Sequence, residues 1–292
     1  MKTAVILNPV SGGGRALKIL PKLAAWAAQK NLDFELFTTT APGDGVKLGQ
    51  LCRFRRFDRV VVVGGDGSIN EVGLTLIGSD IIMGAIPGGT GNDFYKMLGN
   101  GRRLETGFET AFLGKPHDVD IGLINNQPFF NAVGIGFDAE VAHRAAESGG
   151  SSGMMVYLSA VIHSLREHRP IELTIELDKT KIESNVTLVC VGNGRSSGGG
   201  FYLTPHANFD DGLFDVCIIE AMPKIRIFRY LPRTLNGSHV RLPGVRVYRS
   251  KKIVIGSYRE LPVHIDGEPV TEPLTRAEFT MEKRKLKVAA AE

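Results

Sequence analysis

Val60-Val61-Val62-Val63 runs straight into Gly64-Gly65-Asp66-Gly67-Ser68-Ile69-Asn70. Four consecutive β-branched residues without polar alternation read as a strand covered on both faces. Glycines at the end of such a strand let the backbone turn tightly and let another group approach its N–H groups. Asp66, the one carboxylate among them, suits a visitor that carries a cation. The pattern recurs on both sides. "TAVILNP" (residues 3–9) leads into Ser11-Gly12-Gly13-Gly14, and "IIMGAIPGG" (residues 81–89) leads into Thr90-Gly91-Asn92-Asp93. Helical segments follow at residues 15–30, 69–78 and 91–99, where Pro21 is expected to interrupt the first. A further strand (33–40) and helix (43–54) fill the gap between the first two loops. Strand, loop and helix repeated in this way argue for a parallel sheet covered on both faces.

The texture changes near Asp118. From there to about Pro273 most segments read as strands: residues 119–124, 128–136, 171–177, 185–193, 213–221, 245–257 and 261–270. Helical stretches at 154–168 and 223–237 interrupt them. The reading is therefore a two-domain α/β plus β chain. Residues 1–120 form an α/β domain, with 275–292 as a candidate return to it, and residues 121–274 form a mainly antiparallel β-sandwich.

Composition narrows the classes. The chain has 292 residues, 43% hydrophobic and 23% charged, enough to bury a sizeable core. A net charge of +4 is too small to imply nucleic acid. Cys52, Cys190 and Cys217 share no metal-ligand spacing and read as reduced thiols of a cytosolic protein. Seven scattered histidines form no zinc motif. No segment reaches transmembrane length, so any membrane contact is expected to be peripheral and transient.

In a parallel sheet the three glycine loops lie together at the carboxyl edge, where such folds bind ligands. Helix N-termini aimed at the same place favour an anion. There is no Walker A sequence and no GxGxxG after the first strand, so the phosphate site follows a different plan.

"NPVSGGG" (8–14), "GGDGSINEV" (64–72) and "IPGGTGNDF" (86–94) resemble, in order and spacing, the bacterial diacylglycerol kinase-like lipid kinases. Those kinases share a nucleotide-binding fold with NAD kinases, sphingosine kinases and phosphofructokinases. The resemblance continues through "NAVGIGFDAEV" (131–141), "GNGRSSGGGFYLTPHANFDDGLFDV" (192–216) and "HIDGEPV" (264–270), covering nearly the whole chain. It implies an ATP- and magnesium-dependent kinase of a lipid hydroxyl, diacylglycerol first. A soluble acceptor, as in NAD kinases, and a non-catalytic nucleotide or lipid sensor are the alternatives. A homodimer stays open.

The resemblance also implies residue roles. Asn8, Ser11 and Gly12 hold nucleotide phosphates, and Thr39 contacts the nucleotide. Gly64, Gly65, Asp66, Gly67, Ser68 and Asn70 form the central phosphate loop, with Asp66 near magnesium. Ser68 stands where the family usually has threonine; the hydroxyl is kept. Thr90 touches the nucleotide, and Asn92 and Asp93 support it. Asp266-Gly267-Glu268 reads by spacing alone as a hairpin turn. The resemblance makes it the source of the catalytic base, without choosing between Asp266 and Glu268. Likewise Asn208, Asp211 and the Leu213 carbonyl, otherwise a turn, are implied to hold a structural magnesium or calcium. For membrane contact the candidates are residues 153–165, Arg53-Arg55-Arg56 and Arg246-Arg249-Lys251-Lys252. Family members usually carry a basic residue just before the helix at 154–168; here "SGGSSG" (148–153) has none.

Overall fold

The computed structural model describes residues 1–98, 103–147 and 154–290, with the side chains of 154–158 excepted. The stretch 148–153 ahead of the helix at 154 lies outside the described residues. The chain forms two compact units, Met1–Asp120 with Lys283–Glu292, and Ile121–Glu282.

The first unit alternates β1 (Thr3–Leu7), α1 (Ser11–Gln29), β2 (Glu35–Thr38), α2 (Asp44–Phe54), β3 (Arg59–Gly64), α3 (Asp66–Leu76), β4 (Ile82–Pro87), α4 (Asp93–Met97), α5 (Leu104–Leu113) and β5 (Lys115–Val119). The sheet order is β2-β1-β3-β4, then the C-terminal strand Leu286–Ala290, then β5. All pairs are parallel except that of the C-terminal strand with β5. The two central strands bury every residue, Val60 to Val63 on β3 and Ala4 to Leu7 on β1, because helices cover both faces. Edge strand β5 is largely exposed and carries Lys115 and Pro116, which blunt an open edge.

In α1, Gly12, Gly13 and Gly14 all have positive φ, so the regular helix starts at Arg15. Its buried stripe is Ala16, Ile19, Leu23 and Ala27, whereas Leu17 is exposed. Pro21 does not interrupt it. Pro21 lies on the exposed side, where solvent can serve the Leu17 carbonyl that the missing proline N–H leaves over.

The second unit contains β6 (Gly122–Ile124), β7 (Gln127–Phe129), β8 (Ala132–Gly136), α6 (Phe137–Glu147), α7 (Met154–Glu167), β9 (Ile171–Glu176), β10 (Lys181–Gly192), β11 (Phe214–Glu220), α8 (Lys224–Thr234), β12 (Val245–Ser250), β13 (Ile253–Leu261), β14 (Val263–Ile265), β15 (Glu268–Pro269) and β16 (Leu274–Met281). These strands form one antiparallel sheet of eleven strands, curled into a half-barrel sandwich. Period-2 alternation separates its two faces. Val189, Val191, Val216 and Ile218 point into a core where Phe129 stacks on Phe214 at 5.7 Å and Phe279 meets both rings edge-on. Leu188, Cys190, Cys217 and Ile219 point the other way, onto α6, α7 and α8. Burial holds the Cys217 thiol up to about 12 and Cys190 well above its ordinary value.

Two helices, α5 and α6, were not legible in the sequence. α6 follows β8 with no side-chain capping signal; Gly136, at φ 90°, ends the strand, and Phe137, Ala139 and Val141 are buried.

Candidate functional site

Because β1, β3 and β4 are adjacent and parallel, the loops that follow them meet at one sheet edge. The Gly88 N–H donates to the Gly64 carbonyl at 2.8 Å, extending the β3–β4 ladder into the loops. A side chain on Gly12 would strike the Gly88 carbonyl oxygen, and one on Gly89 would strike the Gly65 Cα. These glycines are therefore required by backbone-to-backbone approach. Asn8 joins the first two loops by donating from Nδ2 to the Ser68 hydroxyl at 2.9 Å. The Ser68 hydroxyl thus has a definite partner.

Asp66 is the first residue of α3, so the amides of Gly67 and Ser68 lie in its opening turn, where no intrahelical carbonyl reaches them. Asp66 itself accepts the Phe94 N–H at 3.0 Å, which pins α4 against the loop. Asn92, in the left-handed conformation at φ 52°, accepts the Gly89 N–H at 2.9 Å and donates to the Gly89 carbonyl at 2.8 Å. Asp93 is buried with Lys96 at 3.3 Å, and Thr90 is exposed. Thr39 is buried behind β1, its N–H donating to the Leu7 carbonyl at 2.9 Å. Ser11 opens α1 beside Gly65, where a Cβ on the glycine would lie 3.3 Å from the serine hydroxyl. Asn70 lies on α3 and is half-buried.

Two supports escaped the sequence reading. Arg15 donates to the Gly89 carbonyl at 2.8 Å, closing the first loop onto the third. Glu71 accepts the N–H groups of Gly43 and Gly45 at 3.0 and 2.9 Å, anchoring the start of α2 behind Thr39. Both act on backbone far away in sequence, so no local motif marks them.

In the second unit the structure separates the two carboxylates of the Asp266-Gly267-Glu268 turn. Asp266, at φ 50°, accepts the Phe130 N–H at 2.8 Å on one oxygen. Its other oxygen accepts the N–H groups of Asn131 at 2.7 Å and Ala132 at 2.9 Å. Burial pushes this carboxyl up, while the three amide donors and His264 pull it down. Glu268 is exposed, and no described residue hydrogen-bonds or ion-pairs with its carboxylate. His264, buried, completes the support. Its Nδ1 accepts the Gly267 N–H at 3.2 Å, so Nε2 carries the proton and donates it to Asp138 at 2.8 Å.

Asp138 also lines a pocket between the helix-covered face of the sheet and the helices. Phe137, Val141, Leu188, Leu203, Met222 and Leu231 supply most of its apolar wall. Its enclosed volume is about 50 Å³, and it opens to solvent.

The third set does not suit a divalent ion. Asp211 is its one anionic donor, and Arg249 ion-pairs with that carboxylate. The other oxygen accepts the Leu213 N–H at 3.0 Å. Arg249 also lies 3.8 Å from buried Asp215, whose carboxyl burial pushes up. A guanidinium stands where a cation would be wanted, and Asn208 adds only a neutral donor. Among the described residues no group of three His, Cys, Asp or Glu side chains could hold a metal.

The architecture is a parallel α/β unit with glycine loops at its carboxyl edge, followed in sequence by an antiparallel half-barrel sandwich carrying an acidic turn. Residues 2–124 match the model of the diacylglycerol kinase catalytic domain, and residues 131–289 match the YegS C-terminal NAD kinase beta sandwich-like domain. The chain is 30% identical over 277 residues to a diacylglycerol kinase of Mycobacterium tuberculosis (strain CDC 1551 / Oshkosh), spanning 91% of this chain and 88% of that one. To a diacylglycerol kinase of Bacillus subtilis (strain 168) it is 29% identical, across 92% and 90% of the two chains. A crystal structure of a diacylglycerol kinase from Bacillus anthracis str. Sterne superposes with a TM-score of 0.72 at 22% identity, covering 99% of this chain and 97% of that one. That likeness shows the shared fold. The chain belongs to the diacylglycerol kinase catalytic family, a family of ATP-using kinases.

Proposed function

We propose that the protein transfers the γ-phosphoryl group of ATP to the hydroxyl of a membrane lipid, with diacylglycerol the first acceptor to test. The observation that carries the lipid reading is the apolar pocket under α6, α7 and α8. A wall of Phe, Val, Leu and Met side chains suits an acyl chain and gives a nucleotide-sized soluble acceptor almost nothing to bond to. Its one carboxylate, Asp138, is tied through His264 to the turn that carries Glu268.

The residue roles are those the resemblance implies, and the contacts are consistent with them. Asn8, Ser11, Gly12 and residues 64–70 offer amides and hydroxyls to phosphate oxygens, and Thr39, Thr90, Asn92 and Asp93 shape the surrounding loops. Asp66 would stand beside a magnesium ion, which when bound would neutralise phosphate charge. Glu268 is the base: its carboxylate is free to take the proton of the acceptor hydroxyl. The acceptor oxygen then bonds to the γ-phosphorus as the bond to the β–γ bridging oxygen breaks, and ADP leaves. Asp266 is a positioning residue, since three amides already occupy its oxygens.

The test is transfer from γ-labelled ATP to lipids in detergent micelles, resolved by chromatography, with Glu268→Gln as control. A labelled lipid absent from the control is expected. Label appearing only on a water-soluble acceptor would overturn the lipid reading, and ATP binding without transfer to any acceptor would point to a sensor.

A further inference from the structure

α8 turns one face inward and leaves the other without a partner. Ile227, Tyr230, Leu231 and Thr234 face inward and line the apolar pocket. On the outer face Ile225 is 69% exposed, Phe228 53% and Leu235 47%. With Pro232, also exposed, they repeat at i, i+3, i+7 and i+10, which makes one stripe along a helix. Arg226, Arg229 and Arg233 repeat at i, i+3 and i+7 in a second stripe beside it, with Lys224 at the start. The helix contains no acidic residue, and no carboxylate among the described residues ion-pairs with any of these four cations. Lys224 instead donates to the Arg166 carbonyl at 2.5 Å, fixing the start of α8 against the end of α7.

Exposed isoleucine and phenylalanine cost free energy in water, and unpaired arginines beside them repel one another. Both penalties are relieved on an anionic bilayer. There apolar side chains enter the acyl boundary while arginines meet lipid phosphates. We propose that the outer face of α8 docks the protein on an anionic lipid surface, and that its inner face forms the wall of the pocket that receives the lipid. Docking and pocket then share one helix, so a lipid leaving the bilayer travels only past α8. The docking face stands on its own charges and exposed apolar groups; only its purpose rests on the lipid-kinase reading. The basic runs singled out in the sequence are more fully paired, although Phe54, 86% exposed, lies within the first. Arg55 pairs with Glu35, Arg246 with Glu220, Arg249 with Asp211 and Lys252 with Glu278.

The test is sedimentation of the full chain, without nucleotide, with vesicles of phosphatidylcholine alone and of phosphatidylcholine mixed with phosphatidylglycerol. Wild type is expected on the mixed vesicles and not on the neutral ones. Arg226→Glu with Arg229→Glu, and separately Ile225→Ser with Phe228→Ser, are expected to weaken binding at least about fivefold per residue changed. Transfer to a short-chain diacylglycerol in detergent micelles is expected to match wild type in both variants, since none of the four residues lines the pocket. Equal vesicle binding by wild type and variants would overturn the proposal. So would a concentration-dependent dimer that the Ile225→Ser, Phe228→Ser variant loses, because the stripe would then cover a second copy. Vesicle binding as expected with no transfer in micelles would leave the docking face standing and overturn the lipid-kinase reading instead.

Discussion

The Asp266 carboxylate accepts the N–H of Asn131 at 2.7 Å across 135 positions of sequence. With the amides of Phe130 and Ala132 on the same carboxylate, it holds the turn after β14 against the start of β8. The two acids of this turn therefore predict different variants. Glu268→Gln is expected to lower kcat about 10²- to 10⁴-fold with Tm unchanged, because it removes only a free base. Asp266→Asn replaces one acceptor oxygen with an NH2 group facing an N–H donor. It is expected to lower stability by roughly 1–3 kcal/mol and to lower activity through the displaced turn. Thermal melts beside steady-state rates separate the two. An unchanged Tm in Asp266→Asn would refute the positioning role.

The approach of Gly89 to Gly65 predicts a loss confined to the nucleotide. In Gly89→Ala the new Cβ meets the Gly65 Cα, and the third loop must move away from the central one. ATP affinity measured by calorimetry is expected to fall at least about tenfold, a cost of roughly 1.4 kcal/mol. Vesicle binding should be unaffected. Wild-type ATP affinity in this variant would show that the loops can separate without consequence.

Filling the pocket should shorten the lipid it accepts. Leu231→Trp places a larger side chain on the pocket wall. Excluding two or three methylenes at ~0.8 kcal/mol each corresponds to roughly a 15- to 50-fold rise in KM for long-chain acceptors. KM for ATP and for a short-chain acceptor should stay near wild type. An equal rise for all chain lengths would place the acyl chain elsewhere.

His239 predicts an acid-sensitive fold. It is fully buried, and desolvation holds its imidazole below the ordinary value of 6.5. As pH falls through 6.5, the unfolded chain takes up the proton first, so this residue's contribution is complete above 6.5 and is lost below it. Tm measured from pH 8 downward is expected to decline below about 6.5. The decline should be shallower in His239→Gln; identical slopes would assign the acid sensitivity to other groups.

The Asp211–Arg249 pair predicts indifference to chelators. With a guanidinium neutralising Asp211, exhaustive dialysis against EDTA is expected to leave Tm unchanged and to release no stoichiometric magnesium or calcium. Arg249→Ala should lose roughly 1 kcal/mol, a shift of about 2–4 °C. Retained metal in the dialysed wild type would show that the arginine yields its place.

Much of the first unit was legible because its signals are local. Val60 to Val63 announce a covered strand, the glycines behind them announce a tight turn, and the same pattern around β1 and β4 sets the layer order. The second unit's strands were legible from short apolar runs between turns. α6 was not, because Gly136 breaks the strand without a capping side chain and "FDAEV" continues its apolar texture. α8 was read as a helix but not as a surface, since periodicity alone does not say which apolar stripe faces inward.

What the sequence by itself determined is the inventory: three glycine loops on parallel strands, an acidic turn late in the chain, and apolar runs enough for two cores. What the tertiary structure decided is the surroundings of each acid. Asp266 and Glu268 lie two positions apart and carry the same functional group. Amides 134 to 136 positions away occupy one and leave the other in solvent. Asp211 looks like a metal ligand until Arg249, 38 positions on, pairs with it. A carboxylate's role depends on the dipoles and charges that reach it, and folding brings those from distant parts of the chain.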